Sequence, residues 1–201
     1  FPYTTLFRSG FRRFSGYIFP CIASSPFALS REDVACPSAK QQLTDTLDFL
    51  AAHDIRVAPS GDSSGASSGE SGGQEVEERP TLRRLYLDIE DEAPSYYFDP
   101  DPAVNAQFVS EFVAAAASHQ VPLGFYTTTS YWSTIMADSQ QYSEPAYPLW
   151  YPRWDAVDSM DFFSPFGGWG AVQTKQTAGD VALCGISQVD LDYMEEEGSA
   201  I

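Results

Sequence analysis

The sequence predicts a single α/β domain with an irregular TIM-like β/α barrel, in which the C-terminal strands are poor in helices. Over the first two thirds of the 201 residues, short apolar strand patterns alternate with helical patterns. The last third carries strand patterns without a convincing helix. In addition, the central segment Thr81 to Glu92 ends an apolar strand with acidic residues, and active sites of β/α barrels lie at such strand ends.

The extreme N-terminus does not fit this pattern. Pro2 to Ser9, PYTTLFRS, resembles the in-frame translation of a sequencing-adapter tail. We therefore expect residues 1–9 to be a non-native leader and residues 10–201 to form the domain. On this interpretation some upstream sequence is missing, and the lack of a signal peptide carries no information about localisation.

Two elements precede the central segment. A short buried strand is predicted over Ser15–Pro20, and a Ser- and Pro-rich loop follows up to Pro37. A helix is expected to begin after the N-cap Ser38. The tract at about residues 59–79 is rich in Ser, Gly and Glu, and is predicted to be a disordered insertion because it has almost nothing to bury. The apolar residues spaced for one face of the helix are Leu43, Leu47, Leu50 and Ala51.

The central strand alternates apolar and polar residues from Leu85 to Glu90, LYLDIE. Side chains two apart on a strand share a face, so Tyr86, Asp88 and Glu90 are expected to point the same way. Neighbouring carboxylates move each other's pKa values apart, which leaves one group protonated and one ionised. Hydrolysis of a glycosidic bond requires such a pair. An acidic strand end on the surface would give the same pattern.

The remaining elements follow the same alternation. Asp101 and Pro102 have the order that favours a helix start, a cap followed by Pro. The expected buried face of that helix comprises Val104, Phe108, Phe112 and Ala115. Strands are predicted at Val121–Thr127, Tyr147–Trp154, Gly170–Thr177 and Gln188–Met194, with a short helix at Tyr131–Ala137.

Charge excludes several classes of partner. The formal net charge is −17, from 28 acidic and 11 basic residues. A nucleic-acid surface needs clustered Lys and Arg, which argues against nucleic acid as a partner. The negative charge equally disfavours electrostatic attraction to an anionic membrane or cell wall. No stretch approaches the roughly 20 apolar residues of a membrane helix. We therefore expect recognition of a partner by hydrogen bonds and stacking. We also expect the protein to be a monomer. Repulsion from any anionic partner should ease as carboxylates protonate, so contact with such a partner should be favoured at acidic pH.

A second acidic pair lies on the final strand, where the alternation VDLDY places Asp190 and Asp192 on one face. With Asp88 and Glu90 these residues could also bind Ca²⁺ or Mg²⁺. Other chemistries are poorly supported. His53 and His119 lie near predicted helix C-termini, and the sequence has no G-x-S-x-G elbow, no phosphate-binding G-x-x-x-x-G-K-[ST] and no C-x-x-C metal pattern.

Five motifs in order resemble those of the glycoside hydrolase family 25 lysozymes, the Chalaropsis-type muramidases. The motifs are LYLDIED, LGFYTT, LWYPRWD, TKQT and CGISQVDLDYM, within a match from about Gly16 to Met194. The resemblance implies an irregular β/α barrel that hydrolyses the β-1,4 bond between N-acetylmuramic acid and N-acetylglucosamine in bacterial peptidoglycan, without a metal or other cofactor. A non-catalytic glycan-binding barrel is the alternative.

The resemblance also implies roles for individual residues. Glu90 would be the proton donor. Asp88 would stabilise the cation or the participating acetamido group, or would instead attack the sugar directly. Asp190 matches the Asp of the closing family motif and would line the same pocket, and Tyr126 matches a substrate-contacting Tyr. Tyr126 and Trp154 could equally be core aromatics. Further candidates for contacting the substrate are Tyr151, Trp154 and Asp192.

The chain departs from the family pattern at three places. The family begins with a strand that bears an active-site Asp, and nothing before Gly16 matches it, so the first strand is expected to be missing. Asp192 stands where the family usually has Asn, and Thr177 replaces a Tyr. Loss of the first strand would remove one active-site carboxylate and would affect closure of the barrel and activity. Asp192 adds a charge beside the site, and Thr177 removes one aromatic ring.

The cysteines fit a secreted protein, and the expected location is secreted or phagosomal/lysosomal. Cys21 and Cys36 flank one loop, and a disulfide between them would close it. Cys184 would remain without a partner in this chain.

Overall fold

Strands and helices alternate along the described part of the chain, as the sequence predicts. The computed structural model describes residues 13–22, 36–59, 79–91, 97–143, 145–183 and 185–194. In chain order the elements are β1 (Arg13–Ile18), α1 (Ala39–Ala52), β2 (Arg56–Val57), β3 (Thr81–Asp88), α2 (Pro102–Ser118), β4 (Leu123–Tyr126), α3 (Thr129–Met136), β5 (Leu149–Pro152), β6 (Thr174–Leu183) and β7 (Ile186–Met194).

Within these residues seven strands form one sheet. Six of them follow the order β1-β3-β4-β5-β6-β7, and β2 pairs with β3 beside this order. The pairs from β1 to β6 are parallel, and β7 pairs with β6 in antiparallel orientation. The two-residue strand β2, which the sequence pattern did not predict, pairs with the start of β3. The sheet curls into a half-barrel. Because neighbouring parallel strands end on the same side, the C-terminal ends of β3, β4 and β5 meet along one edge.

The start of α1 is fixed by its cap and by one buried side chain. Ser38 Oγ accepts a hydrogen bond from the backbone N–H of Gln41 at 3.2 Å, as the sequence predicts for an N-cap. Gln42 is buried, and its side-chain amide donates to the carbonyl oxygens of Cys21 and Pro37. A disulfide joins Cys21 to Cys36. Gln42 and the disulfide therefore hold the two ends of the same loop against α1.

The buried face of α2 differs from the prediction. Asp101 caps the helix, with its Oδ1 accepting from the backbone N–H of Ala103 at 2.9 Å. The predicted face included Val104, which is 40% exposed. Asn105 is buried instead, and its side-chain amide donates to the carbonyl oxygens of Asp99 and Ile135. The observed buried positions are Asn105, Val109, Phe112, Ala115 and Ala116.

Several predicted strand bounds also shift. β4 and β5 occupy only the centres of the predicted ranges, and β6 begins at Thr174 and continues to Leu183. The longer β6 forms a hairpin with β7, and this pairing could not be read from the alternation of residues 170–177 alone. The leader predicted at residues 1–9 and nearly all of the insertion predicted at residues 59–79 lie outside the described residues.

The apolar core lies between the sheet and the helices. Leu85, Leu87 and Ile89 pack in the same buried cluster as Leu43 of α1 and Phe112 of α2. Burial of each such side chain contributes roughly 1.5–3 kcal/mol. Among the described helices, none is both long enough and apolar enough to cross a membrane.

Candidate active site

The acidic end of β3 lies at the edge where the parallel strands finish. Asp88 is the last residue of β3 and only 4% of its surface is exposed. Its Oδ1 atom is buried without a hydrogen-bond partner among the described residues. An unpaired buried carboxyl oxygen is costly, because it has lost its hydration without a replacement. Such a cost is typical of a group that acts on a ligand.

Glu90 lies two residues further on and is partly exposed. Burial raises the pKa of Asp88 well above its ordinary value, and the negative charge of Glu90 raises it further. The structure therefore brings the two predicted catalytic carboxyls into electrostatic contact. Their separate roles remain predictions.

Tyr126 connects this pair to the rest of the site. It lies opposite Asp88 in the parallel pairing of β3 and β4, and it is 7% exposed. Its pKa is raised by burial first and then by four carboxylates. In order of effect these are Glu90, Asp88, Asp190 and Asp192. The charges of all four predicted acidic residues therefore act on one hydroxyl group.

Gly124 on β4 leaves room for the ring of Tyr86. A Cβ atom at Gly124 would lie 2.6 Å from Cε1 of Tyr86. The absence of a side chain at Gly124 therefore lets the Tyr86 ring approach the backbone of β4 closely. Gly124 lies two residues before Tyr126, on the same face of the strand.

Trp150 is a member of the site that the sequence prediction missed. It lies opposite Tyr126 in the pairing of β4 and β5, and the two rings are 4.8 Å apart. Its ring also contacts Tyr86, and its indole N–H donates to Asp192 Oδ1 at 2.9 Å. Residue alternation showed that Trp150 and Tyr151 face opposite sides, but it did not show which of the two faces the carboxyls.

Tyr151 does not lie in the site, contrary to the prediction that it contacts substrate. Its ring packs against Phe162, Phe163 and Phe166 on the other side of β5. The physical reason is the alternation of the strand: Trp150 takes the inner face, so Tyr151 must take the outer one.

The acidic residues of β7 differ in their surroundings. Burial raises the pKa of Asp192 to about 6, the hydrogen bond from Trp150 lowers it, and the charge of Asp190 raises it. Burial also raises the pKa of Asp190, whose Oδ1 accepts from the backbone N–H of Asp180 at 3.3 Å.

The described residues contain no group of three or more His, Cys, Asp or Glu arranged to hold a metal ion.

Gln176 of β6 is a second residue that the prediction missed, although its motif TKQT was noted. Its Oε1 accepts hydrogen bonds from the Tyr126 hydroxyl at 2.9 Å and from the Trp154 indole N–H at 2.7 Å. Trp154 is 61% exposed, so it is not a core aromatic. The predicted substrate contacts Tyr126 and Trp154 are therefore linked through one buried amide.

The segment that carries Trp154 is held by a buried lysine. Lys175 is fully buried, and its Nζ donates to Asp155 Oδ1 at 2.5 Å and to the carbonyl oxygen of Val157 at 2.7 Å. The ring of Phe162 lies 4.7 Å from the same Nζ. These contacts fix residues 155–162 against the outer face of β6.

Comparison with known proteins identifies the family. The family model described as lysozyme-like protein 1 matches residues 57–177, more than half of the chain. The chain belongs to this family. The matched segment contains Asp88, Glu90, Tyr126 and Gln176, and it ends before the β7 residues.

Individual lysozyme-like relatives agree with this membership. The chain is 36% identical over 102 residues to probable GH family 25 lysozyme 4 of Dictyostelium discoideum, covering 51% of this chain and 45% of that protein. It is 25% identical over 187 residues to lysozyme-like protein 5 of Caenorhabditis elegans, covering 92% and 68%. The predicted resemblance to family 25 lysozymes is confirmed. The chain spans about half the length of the Dictyostelium relatives that it matches.

A solved structure supports the fold class. The bacterial lysozyme from Streptomyces coelicolor superposes with a TM-score of 0.53 at 17% sequence identity, covering 81% of this chain and 64% of that one. The predicted irregular, helix-poor β/α barrel is therefore confirmed at the level of the fold.

Proposed function

We propose that this chain is a lysozyme, an N-acetylmuramidase that hydrolyses the β-1,4 bond between N-acetylmuramic acid and N-acetylglucosamine in bacterial peptidoglycan. One observation carries the proposal: Asp88 is buried, its Oδ1 has no hydrogen-bond partner among the residues that the structure describes, and it lies beside Glu90 at the C-terminal end of a strand. Membership of the lysozyme-like family and the relatives named as lysozymes support it.

In the proposed reaction Glu90 donates a proton to the glycosidic oxygen as the bond from that oxygen to C1 breaks, and the electron pair of the bond moves to the oxygen. The Asp88 carboxylate stabilises the positive charge at C1, either directly or through the carbonyl oxygen of the 2-acetamido group. Water then adds to C1 and returns a proton to Glu90. The product has a reducing N-acetylmuramic acid end.

The raised pKa of Asp88 is compatible with proton donation by Glu90 and with stabilisation of the positive charge by Asp88. Burial and the negative charge of Glu90 both favour the protonated form of Asp88 in the free protein, so the pair tends to keep one proton. A positive charge at C1 favours the anionic form of Asp88. The proton is then available on Glu90, where the leaving oxygen needs it.

Other residues of the site would bind the glycan. Tyr126 and Trp150 offer hydrogen-bonding and ring surfaces next to the carboxyls, and the exposed Trp154 offers a face for stacking on a sugar ring. Asp190 and Asp192 would line the same cleft from β7.

We propose that the protein acts as a monomer on bacterial walls outside the cell or in a phagosomal or lysosomal compartment. The Cys21–Cys36 disulfide suits such oxidising surroundings.

The test is the clearing of a bacterial cell-wall suspension, with mass spectrometry of the released fragments. We expect fragments that end in reducing N-acetylmuramic acid, and a loss of turnover of at least about 100-fold for Glu90→Gln with wall binding retained. Glu111→Gln is the matched control, because Glu111 is an exposed glutamate on α2. Full activity in Glu90→Gln would contradict the assigned proton donor. A folded protein that binds walls without releasing fragments would be a glycan-binding barrel.

A further inference from the structure

Gln176 joins two aromatic side chains that lie in very different surroundings. Tyr126 is buried beside the carboxyls, whereas Trp154, which follows β5, is largely exposed. Both donate to the same Oε1 atom of Gln176, which is itself only 3% exposed. A single atom therefore relates the position of the buried hydroxyl to that of the exposed indole.

The chemistry of the three groups fixes the direction of both hydrogen bonds. An indole N–H can only donate, so the atom of Gln176 that faces Trp154 must be the carbonyl oxygen. That oxygen can only accept, so the hydroxyl of Tyr126 must be the donor in its bond. Burial and the surrounding carboxylates raise the pKa of Tyr126, which keeps the proton on this hydroxyl. Towards any other group, Tyr126 then presents only its lone pairs.

The plane of the Trp154 ring is fixed by a second contact. A Cβ atom at Gly179 would lie 2.2 Å from Cζ2 of Trp154, so the indole rests directly on the backbone of β6. The bond to Gln176 prevents the ring from turning on this support. The opposite face of the indole is left open to solvent, as a stacking surface for a sugar ring requires.

We propose that Gln176 is a positioning residue for glycan binding: it holds Tyr126 as a hydrogen-bond acceptor for a donor group of the sugar and holds Trp154 as a stacking surface. The inference rests on the proposed function and goes beyond it, because it defines the Tyr126 hydroxyl as a hydrogen-bond acceptor towards the glycan. The groups that Tyr126 would accept from are an acetamido N–H or a hydroxyl of the glycan. It would not donate to the acetamido carbonyl oxygen while the bond to Gln176 is present.

Two substitutions of Gln176 separate positioning from simple packing. Gln176→Leu keeps the approximate size and removes the acceptor, whereas Gln176→Glu keeps an oxygen for both donors. We expect Gln176→Leu to weaken binding of soluble N-acetylglucosamine oligomers about fivefold to tenfold at pH 5, as expected for one lost hydrogen bond and one released ring. Gln176→Glu should restore most of this binding. Binding is measured by calorimetry, and thermal unfolding checks the fold of each variant.

A double-mutant comparison tests the link itself. Trp154→Phe lacks the N–H group, and because Trp154 is exposed the substitution leaves the core intact. Gln176→Leu should weaken binding less in the Trp154→Phe background than in the unaltered chain, since the two changes break the same contact. Additive effects would overturn the proposal, and so would unchanged binding in Gln176→Leu. If Gln176→Leu does not fold, Trp154→Phe alone must weaken binding about threefold or more, or the proposal fails.

Failure of this proposal can be distinguished from failure of the proposed function. A chain that binds the oligomers and clears walls, with no effect of Gln176→Leu, retains the lysozyme function and loses only the positioning role. A chain that neither binds the oligomers nor releases wall fragments loses both.

Discussion

Trp150 donates its indole N–H to Asp192 Oδ1 at 2.9 Å, which joins β5 to β7 across the intervening β6. The resemblance to family 25 lysozymes predicts Asn at position 192, and the oxygen of an amide could accept the same bond. The carboxyl of Asp192 adds a proton-binding group without adding a contact. Its pKa is about 6, mainly because of burial.

This relationship predicts a pH-dependent gain in stability for Asp192→Asn. The pKa of Asp192 is raised above the unfolded value of roughly 3.9, so the folded state loses stability as pH rises from about 4 towards 7. The variant should match the parent near pH 4 and exceed it by about 1 kcal/mol at pH 7.5, a figure reduced for solvent screening because Asp192 is exposed. Urea unfolding at the two pH values measures the difference.

The control for this prediction is Asp48→Asn, on the exposed side of α1. It removes the same charge from the chain without touching the site. A gain at pH 7.5 that is equal in Asp48→Asn and Asp192→Asn would point to the net charge of −17 and would contradict the local explanation.

Asp88→Asn should stabilise the fold while it abolishes activity. The pKa of Asp88 is raised by burial and by Glu90, so ionisation of Asp88 costs folding free energy as pH rises above the unfolded value. An amide removes that cost and leaves the side chain nearly the same size. We expect a higher free energy of unfolding at pH 7 than in the parent, and wall-clearing activity at least about 100-fold lower. A variant that is both less stable and fully active would contradict the site.

Activity should be greatest on the acidic side of neutrality. The proposed reaction needs one proton on the pair formed by Asp88 and Glu90, and the raised pKa of Asp88 places loss of that proton above the ordinary range for Asp. Protonation of Asp192 below about pH 6 further lowers the negative charge that faces an anionic wall. A pH profile of clearing at constant ionic strength tests this, and an optimum above pH 7 would contradict it.

The sequence predicted the elements of the sheet better than it predicted their faces. Alternation located β3 and its acidic end, because Asp88 and the apolar residues before it follow a strict period of two. It could not choose between Trp150 and Tyr151, since both are aromatic and only the pairing with β4 and β6 decides which one faces inwards. Sequence motifs gave the family, whereas the link from Gln176 to Tyr126 depends on contacts between residues 50 positions apart.

The face of α2 shows the same limit for helices. Val104 and Phe108 have the spacing of an apolar stripe, and a stripe displaced by one residue, through Asn105 and Val109, is the one that is buried. A polar residue is an unfavourable choice for a core position unless its hydrogen bonds are satisfied. The backbone groups that satisfy Asn105 belong to Asp99 and Ile135, and their positions follow only from the tertiary structure.

Removing either partner of the Lys175–Asp155 pair should destabilise the fold to different extents. Lys175 is fully buried, whereas the side chain of Asp155 is 28% exposed. Asp155→Ala leaves a buried ammonium group without a counter-ion, but Lys175→Met leaves a carboxylate that water can reach. We therefore expect the larger fall in melting temperature for Asp155→Ala. The reverse order would contradict the burial of the lysine.

The same pair predicts acid sensitivity. The hydrogen bond from Lys175 is the main cause that lowers the pKa of Asp155 to about 2. Stability from this bond is therefore present above roughly pH 4 and is lost as pH falls towards 2. Protonation of Asp155 between pH 4 and 2 lowers the stability of the parent. This contribution should disappear in Lys175→Met. Melting temperatures recorded across that range for parent and variant measure the difference.

Gly179→Ala should displace Trp154 and weaken glycan binding without unfolding the protein. The new Cβ atom would lie 2.2 Å from Cζ2 of Trp154, and the exposed indole can swing away into solvent, so the cost to stability should stay below about 1 kcal/mol. Loss of the fixed ring should weaken binding of N-acetylglucosamine oligomers about threefold to tenfold. Gly170→Ala is the matched control, because a Cβ atom at Gly170 meets nothing within 4 Å. Equal binding in the two variants would mean that the orientation of Trp154 on β6 does not matter for the glycan.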